Sequence, residues 1–180
     1  VNDVLFFCVD GLAGFTAVIE DIYPRTLVQR CIVHMVRTSV RHVSWKDLRA
    51  VCKDLKVMYS KDSSASALEE LGRFDLKWGD RYPEITKKWK SNWHELSLSF
   101  DYPKELRRVI YTTNTVESLH RILRKATKTK GAFVSDQALE KQLYLTLQHT
   151  KQSWQRKTRG WPEIIRVLKR EFPDRILRDE

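Results

Sequence analysis

The sequence predicts an α/β chain that is predominantly helical, and three observations carry that prediction. A continuous apolar run, V-L-F-F-C-V at Val4 to Val9, ends in Asp10-Gly11. A second run of β-prone residues, Thr26 to Ile32, follows a stretch with helical spacing. From about Val33 onward the apolar residues recur at three and four positions, the period of a helix with one buried face.

Taken in order, Val4 to Val9 reads as a strand covered on both faces, because its burial pattern is continuous rather than alternating. Asp10 then stands at that strand's C-terminal edge, where open α/β sheets place their chemistry. Gly11 and Gly14 permit a turn. Phe15, Val18, Ile19 and Ile22 give a two-turn helix with one apolar face, stopped by Pro24. Thr26 to Ile32 is the second strand.

The block from Val33 to Val109 reads as all helical. Ser44 with Asp47 is a capping signal ahead of Leu48, Val51, Cys52, Leu55, Met58 and Tyr59. Lys61 to Ser66 is a polar joint before a helix through Leu68 and Leu71 towards Trp78. Pro83 opens a helix bearing Ile85, Trp89 and Trp93, and Tyr102-Pro103 punctuates its end. The tryptophans of this block, Trp45, Trp78, Trp89 and Trp93, are expected in its core. Later, Ser135 caps a helix through Leu139, Leu143 and Leu147, and Trp161-Pro162 opens the last one, with Ile164, Ile165 and Leu168.

The 180 residues carry 33 Lys plus Arg against 23 Asp plus Glu, a net charge of +10, and are 42% hydrophobic. That composition is globular, and the charge favours a polyanion, nucleic acid first. No apolar run approaches the ~18 residues of a membrane span, and no export signal opens the chain. Cys8, Cys31 and Cys52 are an odd number in apolar settings, which fits a reducing compartment. A cytoplasmic, DNA-associated location follows as the expectation.

The most informative stretch is I-Y-T-T-N-T-V-E-S-L-H-R-I-L-R-K, Ile110 to Lys125. Asn114 is a good N-cap, and Val116, Leu119, Leu123 and Ala126 form an apolar stripe. The other face carries Glu117, Arg121, Arg124 and Lys128, a carboxylate in the first turn beside a ladder of cations. Glu117 is either the return partner of a capping box or a metal-binding carboxylate on a helix that offers cations to a phosphate backbone. If the helical block is an insertion whose ends meet, Glu117 returns beside the strand of Asp10. Two carboxylates are then a minimum for hard cations such as Mg²⁺, and a third is expected.

Four motifs, V-D-G-L-A-G-F (Val9 to Phe15), Q-R-C-I-V-H (Gln29 to His34), Y-P-K-E-L-R-R-V-I-Y-T-T-N-T-V-E-S-L-H-R-I-L-R-K (Tyr102 to Lys125) and K-T-K-G-A-F (Lys128 to Phe133), resemble the Mutator family of bacterial insertion-sequence transposases. The resemblance covers essentially the whole chain. It implies a ribonuclease H-like catalytic domain with an Asp-Asp-Glu triad, interrupted by an all-helical insertion before the Glu. Asp10 matches the second Asp and Glu117 the Glu, both as metal ligands. Arg124 matches a basic residue two turns after that Glu, and Cys31 and His34 match a Cys-x-x-His pair.

The implied organisation is 1–32, two strands of a partial ribonuclease H-like core with a crossover helix; 33–109, the insertion; and 110–180, the closing helices. The first Asp and a DNA-binding region are expected upstream of Val1, so the chain reads as the C-terminal part of a transposase or as a truncated copy.

The implied activity is metal-dependent cleavage and strand transfer of transposon ends, with Mg²⁺, or Mn²⁺ in its place, and with DNA and further copies of the protein as partners. Arg121, Arg124, Lys125, Lys128 and Lys130 are the expected DNA contacts; Cys31, His34, Asn114 and His120 are expected near the active site. Zinc is not expected, because Cys31 and His34 have no second paired ligand motif. The alternative is a catalytically inactive remnant that only binds DNA or protein.

Overall fold

The computed structural model describes residues 1–111, 114–154 and 160–176. Two parallel strands, ten α-helices and one 3-10 turn make up the described residues. The chain divides into two compact units, Val1–Thr113 and Asn114–Glu180.

In the first unit, β1 (Phe6–Val9) pairs in parallel with β2 (Leu27–Arg30), with Phe6 opposite Leu27 and Val9 opposite Arg30. Helix α1 (Phe15–Ile22) makes the crossover. Both strands are shorter than their apolar runs. Cys31, still extended, donates its amide to the Val9 carbonyl at 2.7 Å and so ends the ladder, and Ile32 then opens a helix. The expectation that β1 is covered on both faces does not hold: Val9 alone is buried, and Phe6, Phe7 and Cys8 are partly exposed. The described sheet has only two strands, too narrow to enclose either of them. The same narrowness leaves the apolar side of α1 open, with only Ile19 buried while Phe15, Val18 and Ile22 are exposed.

The helical block holds the principal core. It comprises α2 (Ile32–Ser39), α3 (Trp45–Tyr59), α4 (Ser64–Trp78), α5 (Pro83–Ser91), α6 (Trp93–Ser97), a 3-10 turn at Leu98–Asp101 and α7 (Lys104–Ile110). Val51, Leu55 and Met58 of α3 meet Ala67, Leu71 and Phe74 of α4, and Ile85, Trp89 and Leu96 close the cluster. Ser44 precedes α3 as expected, although its hydroxyl donates to the Asp47 carboxylate at 3.2 Å rather than accepting a helix N–H.

Polar ties fasten this core. The Trp89 indole donates to Ser39 Oγ at 2.9 Å, and the Arg107 guanidinium donates to the carbonyls of Lys61, Asp62, Ser99, Phe100 and Tyr102. One tryptophan departs from expectation. Trp78 and Trp89 are buried, but Trp45, the first residue of α3, is 89% exposed, because it faces away from the α3–α4 seam.

The second unit contains α8 (Asn114–Lys128), α9 (Asp136–Trp154) and α10 (Trp161–Glu171). Ser135 caps α9 as its sequence suggests, its hydroxyl accepting the Ala138 amide at 3.2 Å. Ile164 and Val167 of α10 are the buried residues described here, and the apolar stripe of α8 is only partly covered, Val116 being exposed.

Candidate functional site

Asp10 directly follows the last residue of β1, so its position is fixed by the ladder while its side chain stays exposed. The turn beyond it needs left-handed backbone: Gly11 has φ +83° and Gly14, the N-cap of α1, has φ +77°. Gly11 is tight for a second reason. A methyl group there would stand 2.6 Å from the Arg30 guanidinium carbon, so Arg30, at the end of β2, lies directly over the turn that follows Asp10.

Arg30 is in turn held from the helical block. Its Nε donates to Glu95 Oε2 at 2.7 Å, and both side chains are largely buried. Thr16 on α1 donates to the other oxygen, Glu95 Oε1, at 3.1 Å. The carboxylate of α6 therefore joins the end of β2, the start of α1 and the Asp10 turn. Beside it, the fully buried Gln29 side chain donates to the Leu96 carbonyl at 3.2 Å and accepts the Ser99 amide at 2.8 Å.

Where the block leaves and returns, the Ile32 amide donates to the Tyr111 carbonyl at 3.0 Å. The block is closed on itself at the end of β2.

Cys31 is wholly buried as the N-cap of α2, and His34 sits half-buried in that helix's first turn. A thiol hydrogen bond with Cys31, reinforced by burial, pushes the Cys8 thiol far above its ordinary range. No described cysteine is in a disulfide.

In the second unit, Glu117 lies in the first turn of α8 and is half-buried. Helix α8 begins at Asn114; the cap expected of Asn114 rests on its side chain and on residues 112–113, which lie outside those described. Arg121, Arg124, Lys125 and Lys128 are all exposed on α8, Lys130 is exposed just beyond it, and His120 is exposed as well.

Oxygen donors such as Asp10 and Glu117 suit a hard divalent cation. Among the described residues, no three His, Cys, Asp or Glu side chains gather closely enough to hold a metal, so they form no complete cage. Sequence reasoning missed Glu95, and with it the contact that supports Arg30. The available signal was weak: a lone acid three residues before the 3-10 turn in a lysine-rich segment.

A family profile described as "Transposase, Mutator family" matches residues 1–157. The chain belongs to the Mutator family of transposases. It is 41% identical over 163 residues to the transposase for insertion sequence element ISRM3 of Rhizobium meliloti (strain 1021), covering 90% of this chain and 41% of that protein. A probable transposase for an ISRM3-like element of Sinorhizobium fredii is 40% identical over the same share of both chains. A probable insertion-sequence transposase of Corynebacterium diphtheriae is 34% identical, across 98% of this chain and 57% of its own. The chain of this Mutator-family member thus spans about half or less of the length of these relatives. Among its described residues, no helix is long and apolar enough to cross a membrane.

Proposed function

We propose that this chain is the C-terminal catalytic portion of a DNA transposase with a ribonuclease H-like core, in which Asp10 and Glu117 each lend oxygen ligands to one divalent-cation site. The organisation is that of residues 1–32 and 110–180 as core and 33–109 as insertion. The observation that carries the reading is the Ile32–Tyr111 hydrogen bond. It returns the chain to the end of β2 just before α8, and so supports bringing the strand-edge acid and the helix-borne acid to one place.

The bound cation supplies Lewis acidity for in-line phosphoryl transfer. The chain's own residues do the rest. Asp10 and Glu117 fix the site, Arg30 and Glu95 hold the Asp10 turn, and Arg121, Arg124, Lys125, Lys128 and Lys130 take the DNA backbone. Two carboxylates are few for the cations of in-line transfer, so the reading includes a third, and the chain assayed alone is expected neither to cleave nor to join DNA. A second reading is a remnant that only binds DNA, which the exposed cations of α8 would serve without any acid.

The deciding experiment is strand transfer of a labelled transposon end in Mg²⁺ or Mn²⁺. It compares this chain with one extended to the length of its relatives, each also as Asp10→Ala and Glu117→Ala. Joining by the extended chain that both substitutions abolish is the expected result. Joining that survives Glu117→Ala would overturn the assignment, and an inert extended chain that still binds DNA would select the second reading.

A further inference from the structure

The helical block carries a groove that the proposed chemistry does not use. It has a volume of about 730 Å³ and lies between the end of α2 and the start of α5, with Arg41, His42, Arg81, Tyr82, Lys87 and Lys88 among its walls. Glu84 is the one acid in the lining and stands 3.8 Å from Lys87. Arg81 is neutralised by Asp47 at 2.8 Å. Arg41 and Lys88 have no ion pair among the described residues, so the groove keeps a surplus of positive charge.

Beside its wall begins α3, whose first residue is the exposed Trp45. The Ser44 amide donates to the hydroxyl of Tyr82, a wall residue, at 3.3 Å, and Trp45 is the next residue. At 89% exposure its ring is in water, where apolar area costs roughly 25 cal/mol per Å². Lys46 and Arg49, also exposed, follow it on α3.

We infer that this groove and Trp45 form a binding site for an unpaired DNA strand, a base stacking on the Trp45 indole while adjacent phosphates lie in the groove against Arg41 and Lys88. A positively charged channel beside an open aromatic face is the combination by which proteins hold single strands without reading sequence. The surplus charge selects a polyanion over a protein partner. The exposed ring selects an unstacked base over a duplex, whose bases already stack on each other. The inference does not rest on Asp10 or Glu117.

The test is fluorescence anisotropy of a labelled oligothymidine with the 180-residue chain in the Arg121→Ala/Arg124→Ala background, without divalent metal, so that catalytic failure does not affect it. Trp45→Ala is expected to weaken binding roughly 5- to 150-fold, the range of one base–aromatic stack, and Trp45→Phe to retain most of it. An abasic oligomer and a duplex should be indifferent to Trp45→Ala. Arg41→Ala/Lys88→Ala should flatten the log-log salt slope by about 1.4, at about 0.7 per single-strand phosphate. Unchanged oligothymidine affinity in Trp45→Ala, or an equal loss on the abasic oligomer or duplex, would overturn the site. Circular dichroism of each variant verifies that the fold is intact.

Discussion

The Gln29 side chain, in the middle of β2, accepts the backbone amide of Ser99 at 2.8 Å and donates to the Leu96 carbonyl, wholly out of solvent. The Gln29 carboxamide is thus one buried tie between strand pair and helical block, beside the Arg30–Glu95 pair.

Gln29→Leu should show what that clamp contributes. It strands a buried N–H and a buried carbonyl, each costing about 1–3 kcal/mol. A loss of about 2–4 kcal/mol is expected in urea unfolding, with strand and helix signals still melting together. A loss below about 0.5 kcal/mol would mean that the two parts are joined elsewhere.

Glu95→Ala removes the partner of a largely buried Arg30, with an expected destabilisation on the order of 3 kcal/mol. Gly11→Ala should be harmful for a different reason, since φ +83° is strained for alanine and its methyl meets the guanidinium. In the extended chain both should lower strand-transfer turnover while leaving salt-dependent DNA binding intact. Equal loss of binding would place Arg30 on the DNA rather than behind Asp10.

Acid should loosen the helical block through Asp47. The Tyr82 hydroxyl, with Arg81 and Ser44 also bonded, holds this carboxyl below the usual carboxylate range. A depressed folded value gives stability that is complete above the unfolded value of about 3.9 and is lost as pH falls through the folded one. Asp47→Asn should shrink the pH dependence of the melting temperature below about pH 4 and leave the slope above it unchanged. An identical acid limb in the variant would refute the role.

The cations of α8 should set the salt dependence of duplex binding. Arg121→Ala/Arg124→Ala removes two exposed charges and is expected to flatten the log-log slope by roughly 1.8, at about 0.9 per phosphate. A filter-binding titration across salt concentrations measures it; an unchanged slope would turn this helix away from the backbone.

Local pattern made the elements legible and left their partners hidden. The apolar run to Val9, the Ser44 and Ser135 helix starts and the Val51–Leu55–Met58 stripe depend on neighbours within a few residues. Gln29, Glu95 and Arg107 act across much longer separations, where spacing carries no signal; Gln29 showed only as a polar residue interrupting an apolar strand. The burial expected for β1 and α1 failed because an apolar face announces that it needs covering without saying what covers it. Trp45 failed similarly: its type suits a core, but its place at the first position of α3 turns it outward. At the candidate site, the acids Asp10 and Glu117 were visible as residue types, whereas the Arg30 support over Gly11 depends on a close approach that no spacing encodes.

The hydrogen bond from Ile32 to Tyr111 means that the chain departs from and rejoins the strand pair at one point. A closed excursion of this kind loses entropy only with the logarithm of its length, about 0.6 kcal/mol for each doubling. The closure term alone therefore changes little when residues are inserted in the connections between these helices, outside the α3–α4 core and the Gln29 and Glu95 contacts, provided the departing and rejoining residues stay in register. Length at those joints is free to drift, and the two ends are not.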